Sequence, residues 1–400
     1  RRRIPAPRLE PPMRNVWLLT LAQAFAACGT IMLVTFGGIV GTELAPTPIL
    51  ATLPVSVSIF GVACTSLPAA LLMQRIGRKR AFIGSACVAA LAALGIAFSV
   101  ATRNFWSLCG SAFFIGANMA FVQQYRFAAV EYVEERFAGR AVATVMLGTL
   151  LAALIGPTLG QFVSHWGGWP EFTASYVALA FLCLGAALVL TRLPTPQRNV
   201  VITTSASGRS LRELLQIPDF KLAVLAGLTS YAVMSFIMTA TPLSMHVHDG
   251  YTSAETSRVI TAHLLGMYLP SLIAPLLVSV LGVRLMMLLG VACNLACIAI
   301  SAWLGHAFVH YFTGLVLLGL GWNLLFVAAT TLLTASYAPE ERFRAQGFND
   351  LAVFGSQATA SLLAGTAIET LGWETLNLVT LPLLALVLWS IVRRSALRSD

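Results

Sequence analysis

The feature that most constrains this chain is an internal echo. Ile115-Gly116-Ala117-Asn118-Met119-Ala120-Phe121-Val122 returns 205 residues later as Leu320-Gly321-Trp322-Asn323-Leu324-Leu325-Phe326-Val327, with Gly, Asn, Phe and Val in register. Each copy lies in an apolar segment followed by a Glu-Glu-Arg-Phe run, Glu134–Phe137 and Glu340–Phe343. A period near half of the 400 residues means two similar halves in tandem.

Those halves are too apolar for water. Residues AVILMFWYC make up 58% of the chain and charged residues 10%, against about 25% charged in a soluble domain. Twelve apolar segments can be drawn, near 15–40, 48–73, 81–101, 104–130, 141–163, 172–193, 220–244, 256–281, 285–304, 307–336, 345–368 and 375–392. Each is long enough for a hydrocarbon core of roughly 30 Å. Backbone groups in lipid must be satisfied within the segment, so all should be helices. The period-two alternation of a membrane barrel is missing. The fold class expected is an all-α membrane protein of twelve transmembrane helices, arranged as two pseudo-symmetric six-helix halves. The divisions are an N-terminal tail 1–14, a first half 15–193, a linker 194–219, a second half 220–392 and a C-terminal tail 393–400.

Charge sets the orientation. Of 25 Lys and Arg, 23 lie in the tails and in connections on one side, and only Arg103 and Arg258 on the other. Positive residues stay in the cytoplasm. Both termini are therefore expected there, in a multi-pass protein of a bacterial-type inner membrane. The same placement explains the net charge of +9 without a nucleic-acid partner. Seven cysteines all fall in apolar segments and read as free thiols. In the linker, Val200–Ser207 reads as flexible and Arg209–Leu215 as a short amphipathic helix on the membrane face.

The turn between the second and third segments is Gln74-Arg75-Ile76-Gly77-Arg78-Lys79-Arg80, and Gly282-Val283-Arg284 stands 205 residues beyond its glycine. With twelve helices, a six-plus-six repeat and a long central loop, the chain resembles the major facilitator superfamily throughout. That family's hallmark is an Asp-Arg-x-Gly-Arg-Arg-type turn at this place. The resemblance implies a secondary transporter working by alternating access around a central site. Gln74 stands where the family has an acid that helps latch the two halves, and Asp350 is a candidate replacement. The latch and gating set is Gln74, Arg75, Gly77, Arg78, Arg126 and Glu131. Gly156-Pro157-x-x-Gly160, with Gly148, resembles the family's antiporter motif, but Ala112 occupies the place of the drug-antiporter Arg.

The family lines its cavity with the first, fourth, seventh and tenth helices. On these lie Gln23, Phe25, Asn118, Gln123, Gln124, Tyr125, Tyr231, Ser235, Trp322 and Asn323, the substrate-binding candidates. Asn118 and Asn323 are expected as partners across the pore, since a buried amide in lipid needs a hydrogen-bond partner. Their alternative role is to bond a neighbouring helix. Gln123-Gln124-Tyr125-Arg126 has only Ala328-Ala329-Thr330-Thr331 opposite it in the repeat, so it marks where the halves differ. Arg126 would coordinate an anion, gate, or pair with Glu131 or Asp350. Asp350 and His263 are the proton-coupling candidates. A cavity of this make-up suits a neutral or aromatic-containing solute.

His246-Val247-His248-Asp249 has metal-ligand spacing but lies in an outer loop, so neither metal nor cofactor is expected. No phosphate loop or nucleophile elbow occurs, which disfavours an ATP-driven pump or an enzyme. The function expected is secondary transport of a small organic solute by a monomer in lipid, driven by protons. The alternatives are a proton-coupled drug exporter and a non-transporting membrane sensor of the same fold.

Overall fold

The computed structural model describes residues 11–134, 138–194, 208–338 and 341–396. Among these described residues, ten helical stretches are long and apolar enough to cross a membrane. In the first half these are α1 (Pro11–Leu44), α2 (Leu53–Ile76), α3 (Arg78–Ala101), α4 (Phe105–Val122) continued by α5 (Tyr125–Val130), α6 (Ala138–Val163) and α7 (Thr173–Thr191). The short linker helix α8 is Leu211–Leu214, started by a capping box between Ser210 and Glu213. The second half holds α9 (Pro218–Pro242), α10 (Ser253–Tyr268), α11 (Ala274–Trp303), α12 (Phe308–Thr334), α13 (Arg342–Leu378) and α14 (Leu381–Ala396). Two of these fold back on themselves. Gly282 breaks α11, so α10 and the start of α11 make one crossing and the rest of α11 the next. Gly372 breaks α13 in the same way. Among the described residues the result is twelve crossings, with the start of α1 and the end of α14 on one face, here the terminal face; the other is the far face.

The turn glycines repeat. Gly77 (φ 86°) and Gly282 (φ 70°) are 205 apart, as are Gly167 (φ 79°) and Gly372 (φ 76°). A side chain is strained at these angles, so the two reversals of each half need glycine.

Lipid cannot drive helices together by hydrophobicity, so close approach of small residues must do so. The buried face of α3 carries Ala81, Ala86, Ala89, Ala90, Ala93 and Ala97, whereas Leu91 and Phe98 point outward. Gly148, Gly156 and Gly160 lay α6 against Gln23, Cys28, Met32 and Phe36 of α1. The antiporter-like stripe is thus a packing surface between α1 and α6. All seven cysteines are free.

Packing shows a register change that the sequence echo hides. Gly61 of α2 sits against the Phe113 carbonyl and the Ala117 N–H, and Gly266 of α10 against those of Val316 and Leu320. Gly116 faces the Ser58 carbonyl, and Gly319 faces that of His263. The offset is 205 between α2 and α10 but 203 between α4 and α12. Two residues turn a helix by about 200°. The structural counterpart of Gly116 is therefore Gly319, not Gly321, and that of Met119 is Trp322.

On the terminal face, Glu341 clamps the end of the linker to the second half. It accepts the Arg209 backbone N–H and Nε–H at 2.8 Å each, and Nη2 at 2.8 Å. Arg209's hydrogen bonds hold the Glu341 carboxyl down to about 2, against an ordinary 4.5. Of the linker readings, Val200–Ser207 falls outside the described residues, as do most of the N-terminal tail, half of the C-terminal tail and parts of both Glu-Glu-Arg-Phe runs.

Candidate functional site

The halves meet along a seam that closes toward the far face. Gly38 packs on Pro242 and Leu243, and Gly365 on Ile49 and Thr52. The Ser56 and Ser361 hydroxyls share a hydrogen bond of 2.9 Å. Val55, Ile59 and Ala358 form a small apolar plug beside it. Nearer the terminal face the halves part around two adjoining chambers that share Met119, Thr149 and Tyr268.

The inner chamber is lined by Gln23, Met119, Gln123, Arg126, Met146, Thr149, Tyr231, Tyr268, Trp322 and Phe326, and has a cavity volume of about 100 Å³. Its walls differ by half. The first half supplies every strongly polar group. Gln23, 3% exposed, donates from Nε2 to Thr149 Oγ1 at 2.9 Å, and its Oε1 is buried without a partner. Gly148 makes this contact available, because only a residue without a side chain lets α6 come so near Gln23. Arg126 also has a buried, unpartnered Nε, and its guanidinium lies 4.8 Å from the Phe127 ring centre. Gln123 and Arg126 share a wall because they are three apart across the turn between α4 and α5.

The second half supplies aromatic faces. Tyr231 meets Trp322 and Phe326 edge to face, with centroids 5.2 and 5.0 Å apart. Trp322 and Phe326 stack at 5.3 Å, and Tyr268 closes the group at 6.1 Å from Trp322. Trp322 is 5% exposed and its Nε1–H has no partner. The outer chamber adds Thr30, Ser235, Thr239 and Gln357 between Met234, Met238 and Met267. Ser235 donates to the Gln357 carbonyl at 3.3 Å.

Gln23, Gln123, Arg126, Tyr231, Ser235 and Trp322 thus line the cavity. Other expectations are corrected. Asn323 is buried away from it, donating to the Met267 carbonyl at 2.6 Å and to Ser271 at 2.5 Å, because the register change rotates it between α12 and α10. Asn118 lines neither chamber, its Oδ1 being buried within the first half. The two amides are not partners across a pore. Phe25 packs over Gly185 of α7. Tyr125 is fully buried against Phe82, and Gln124 sits at the turn before α5. His263 donates from Nδ1 to the Leu315 carbonyl at 2.8 Å, inside the α10–α12 contact and outside both chambers.

The latch set is arranged within one half. Arg78 pairs with Glu131 at 2.9 Å, so Glu131 is not the partner of Arg126. Arg75 and Gly77 are exposed at the turn; the Gln74 side chain lies outside the described residues. Asp350 is exposed, accepts a long hydrogen bond from Asn349 at 3.4 Å, and influences Arg126 through space. Among the described residues no ion pair joins Asp350 to Arg126 or to the turn. No cluster that could hold a metal ion occurs among them either.

Sequence reasoning missed Tyr268, Thr149 and the cavity side of Met119 and Phe326. Tyr268 ends α10 just before Pro270, and that break was its one visible signal.

Two six-helix halves around a mid-membrane cleft, closed at one face, define a transporter of a small solute. The sequence matches the family model of the Major Facilitator Superfamily over residues 19–243 and 223–399, and the chain belongs to that family. It is 37% identical over 365 residues to the riboflavin transporter RfnT of Brucella anthropi, covering 91% of each chain. It is 27% identical to YddS of Bacillus subtilis, an uncharacterized transporter of the same family, over 89% of this chain and 85% of that one. Among solved structures, a bacterial homolog of the human lysosomal transporter Spinster, inward-facing and occupied, superposes with a TM-score of 0.72 at 13% identity. That match covers 97% of this chain and 98% of the other. The nucleoside transporter NupG superposes at 0.71 with 12% identity, over 94% and 99%.

Proposed function

We propose that this transporter carries a flavin-type solute, a planar fused heterocycle with a polyhydroxylated tail, with riboflavin as the first compound to test. The observation that carries this is the split cavity: a polar wall of Gln23, Gln123 and Arg126 faces an aromatic wall of Tyr231, Tyr268, Trp322 and Phe326. A flat ring system gains about 1–3 kcal/mol from each good aromatic stack. Pockets for ligands of this size run from about 300 to 1,000 Å³, so the two adjoining chambers, about 100 and 110 Å³, must widen to admit one. The hydroxyls of Thr30, Ser235 and Thr239 in the adjoining chamber suit a polyol chain. The likeness to RfnT supports the same reading.

The Lys and Arg excess of the terminal face supports a cytoplasmic position for it. The described seam is then the outer gate, and the state is inward-facing. The proton gradient is the driving force in this reading. Asp350, exposed and within the field of Arg126, is the coupling carboxylate. Asp350→Asn should abolish accumulation against a gradient and spare exchange; unchanged accumulation would remove Asp350 from the mechanism.

The test of the substrate is growth and uptake. Bacteria unable to make riboflavin and lacking their own transporter should grow on low micromolar riboflavin when they express this chain. No growth and no uptake, with the protein present in the membrane, would refute the assignment.

A further inference from the structure

Three residues that line the inner chamber each carry a buried polar atom without a partner, and they belong to different elements. Gln23 Oε1 on α1 is an acceptor; its amide nitrogen is already committed to Thr149. Arg126 Nε on α5 and Trp322 Nε1 on α12 are donors. Gln23 and Trp322 are each at least nine-tenths buried. Most buried polar groups find a hydrogen bond, and those that do not call for an explanation. Here the three residues line the same chamber, so a bound molecule toward which these side chains turn could satisfy all three atoms together.

Resting on the flavin reading above, we infer that this trio reads the imide edge of the heterocycle. An imide presents carbonyl, N–H and carbonyl in a row. Gln23 Oε1 accepts from the central N–H, while Arg126 and Trp322 donate to the flanking carbonyls. Gln23 is the specificity-determining residue, because it supplies the acceptor that only a ring with a free imide N–H can use. The guanidinium also favours negative charge building on a carbonyl without requiring an anionic ligand. The aromatic wall then holds the ring face and the polar wall selects its edge. A site built to hydrogen-bond a group rejects an analogue lacking it more strongly than a site that merely fills space, because its own buried groups stay unpaired.

The experiment uses the full-length protein in proteoliposomes loaded with riboflavin, and measures competition against labelled riboflavin exchange. Riboflavin and its N3-methyl derivative share the ring faces and the tail and differ only at the imide nitrogen, where a methyl group replaces the donor hydrogen. The methylated compound should compete at least about tenfold more weakly in the unaltered protein. In Gln23→Met the discrimination should fall to within about twofold, whatever the remaining rate, since a ratio of two ligands cancels losses of folded protein. Equal competition by both ligands in the unaltered protein would overturn the imide reading and leave riboflavin transport standing. Discrimination that persists in Gln23→Met would overturn the assignment to Gln23. Absence of any riboflavin exchange would sink the flavin reading, and the imide reading with it.

Discussion

α4 and α12 carry the same short sequence and do different work. In α4, Gly116 presses on α2, while Met119, Gln123 and Arg126 (the last on the continuation α5) look into the cavity. In α12 the equivalent contact glycine is Gly319, two residues earlier than the echo indicates, and Trp322 and Phe326 take the cavity wall. Asn323 becomes a clasp to α10. A duplicated helix can thus be re-indexed against an unchanged neighbour, at no cost in hydropathy. The slip places aromatic residues of one half opposite polar residues of the other. Asymmetry of the cavity comes from this rotation as well as from the Gln123–Arg126 substitution pattern.

The largest effect should come from breaking the indexing itself. A Cβ at Gly116 would enter the Ser58 carbonyl, and one at Gly319 the His263 carbonyl. Gly116→Val and Gly319→Val should each cost more than about 3 kcal/mol, the upper range for ordinary overpacking, because the obstacle is backbone. Loss of folded protein in detergent, read by size-exclusion chromatography, is the expected outcome. A well-folded Gly319→Val would argue against the 203-residue register.

Next come the two walls. Trp322→Ala removes a stacking face and should weaken riboflavin affinity by about 10- to 100-fold, read by quenching of flavin fluorescence. Phe25→Ala, on the α7 side of α1, should leave affinity within about twofold. The reverse ranking would return the binding site to the arrangement expected from sequence.

The amides give a smaller effect. Asn323→Ala removes two hydrogen bonds between membrane helices, worth about 0.6–1.7 kcal/mol each, and should lower the thermal midpoint with affinity unchanged. Asn118→Ala should leave affinity unchanged as well. Weakened binding in Asn118→Ala would restore it to the cavity.

The smallest effect concerns the far-face ends of the halves. In the second half His306 donates to Asp249 and Glu374, each at 2.8 Å, and Tyr311 adds its hydroxyl to Asp249 at 2.6 Å. At the 205-residue offset the first half has Ala101, Leu44 and Trp169 in place of His306, Asp249 and Glu374. Partial burial lowers the His306 pKa, but the two carboxylates outweigh it and the net shift is upward from 6.5. A raised folded value stabilises below the ordinary pKa and is lost as pH rises through the folded one. The thermal midpoint should therefore fall modestly between pH 6 and pH 8.5, and Asp249→Asn should flatten that slope. A slope unchanged in Asp249→Asn would place the pH response elsewhere.

How much of this was legible in sequence follows from what sequence encodes. The twelve crossings and their reversals were legible, because hydropathy and turn glycines are local. Gly77 and Gly282 could be read at sight. The cavity was legible in part: Gln23, Gln123, Arg126, Tyr231, Ser235 and Trp322 stand where helix numbering put them. Asn118 and Asn323 misled because shared letters suggest shared position. The contacts of Gly61 and Gly266, and of Gly116 and Gly319, with their neighbours expose the slip. Tyr268 and Thr149 were hidden because they lie on helices outside the four expected to line the site. Arg78 and Glu131 were both named, but their mutual ion pair depends on how two turns fold together.

The central claim is that one polar and one aromatic wall bind a flavin between them. Riboflavin counterflow in proteoliposomes tests it most directly. The account predicts a transient overshoot of labelled riboflavin in the unaltered protein and in Asn118→Ala, and its loss in Trp322→Ala. No overshoot in the unaltered protein, or an overshoot kept by Trp322→Ala and lost by Asn118→Ala, would contradict it.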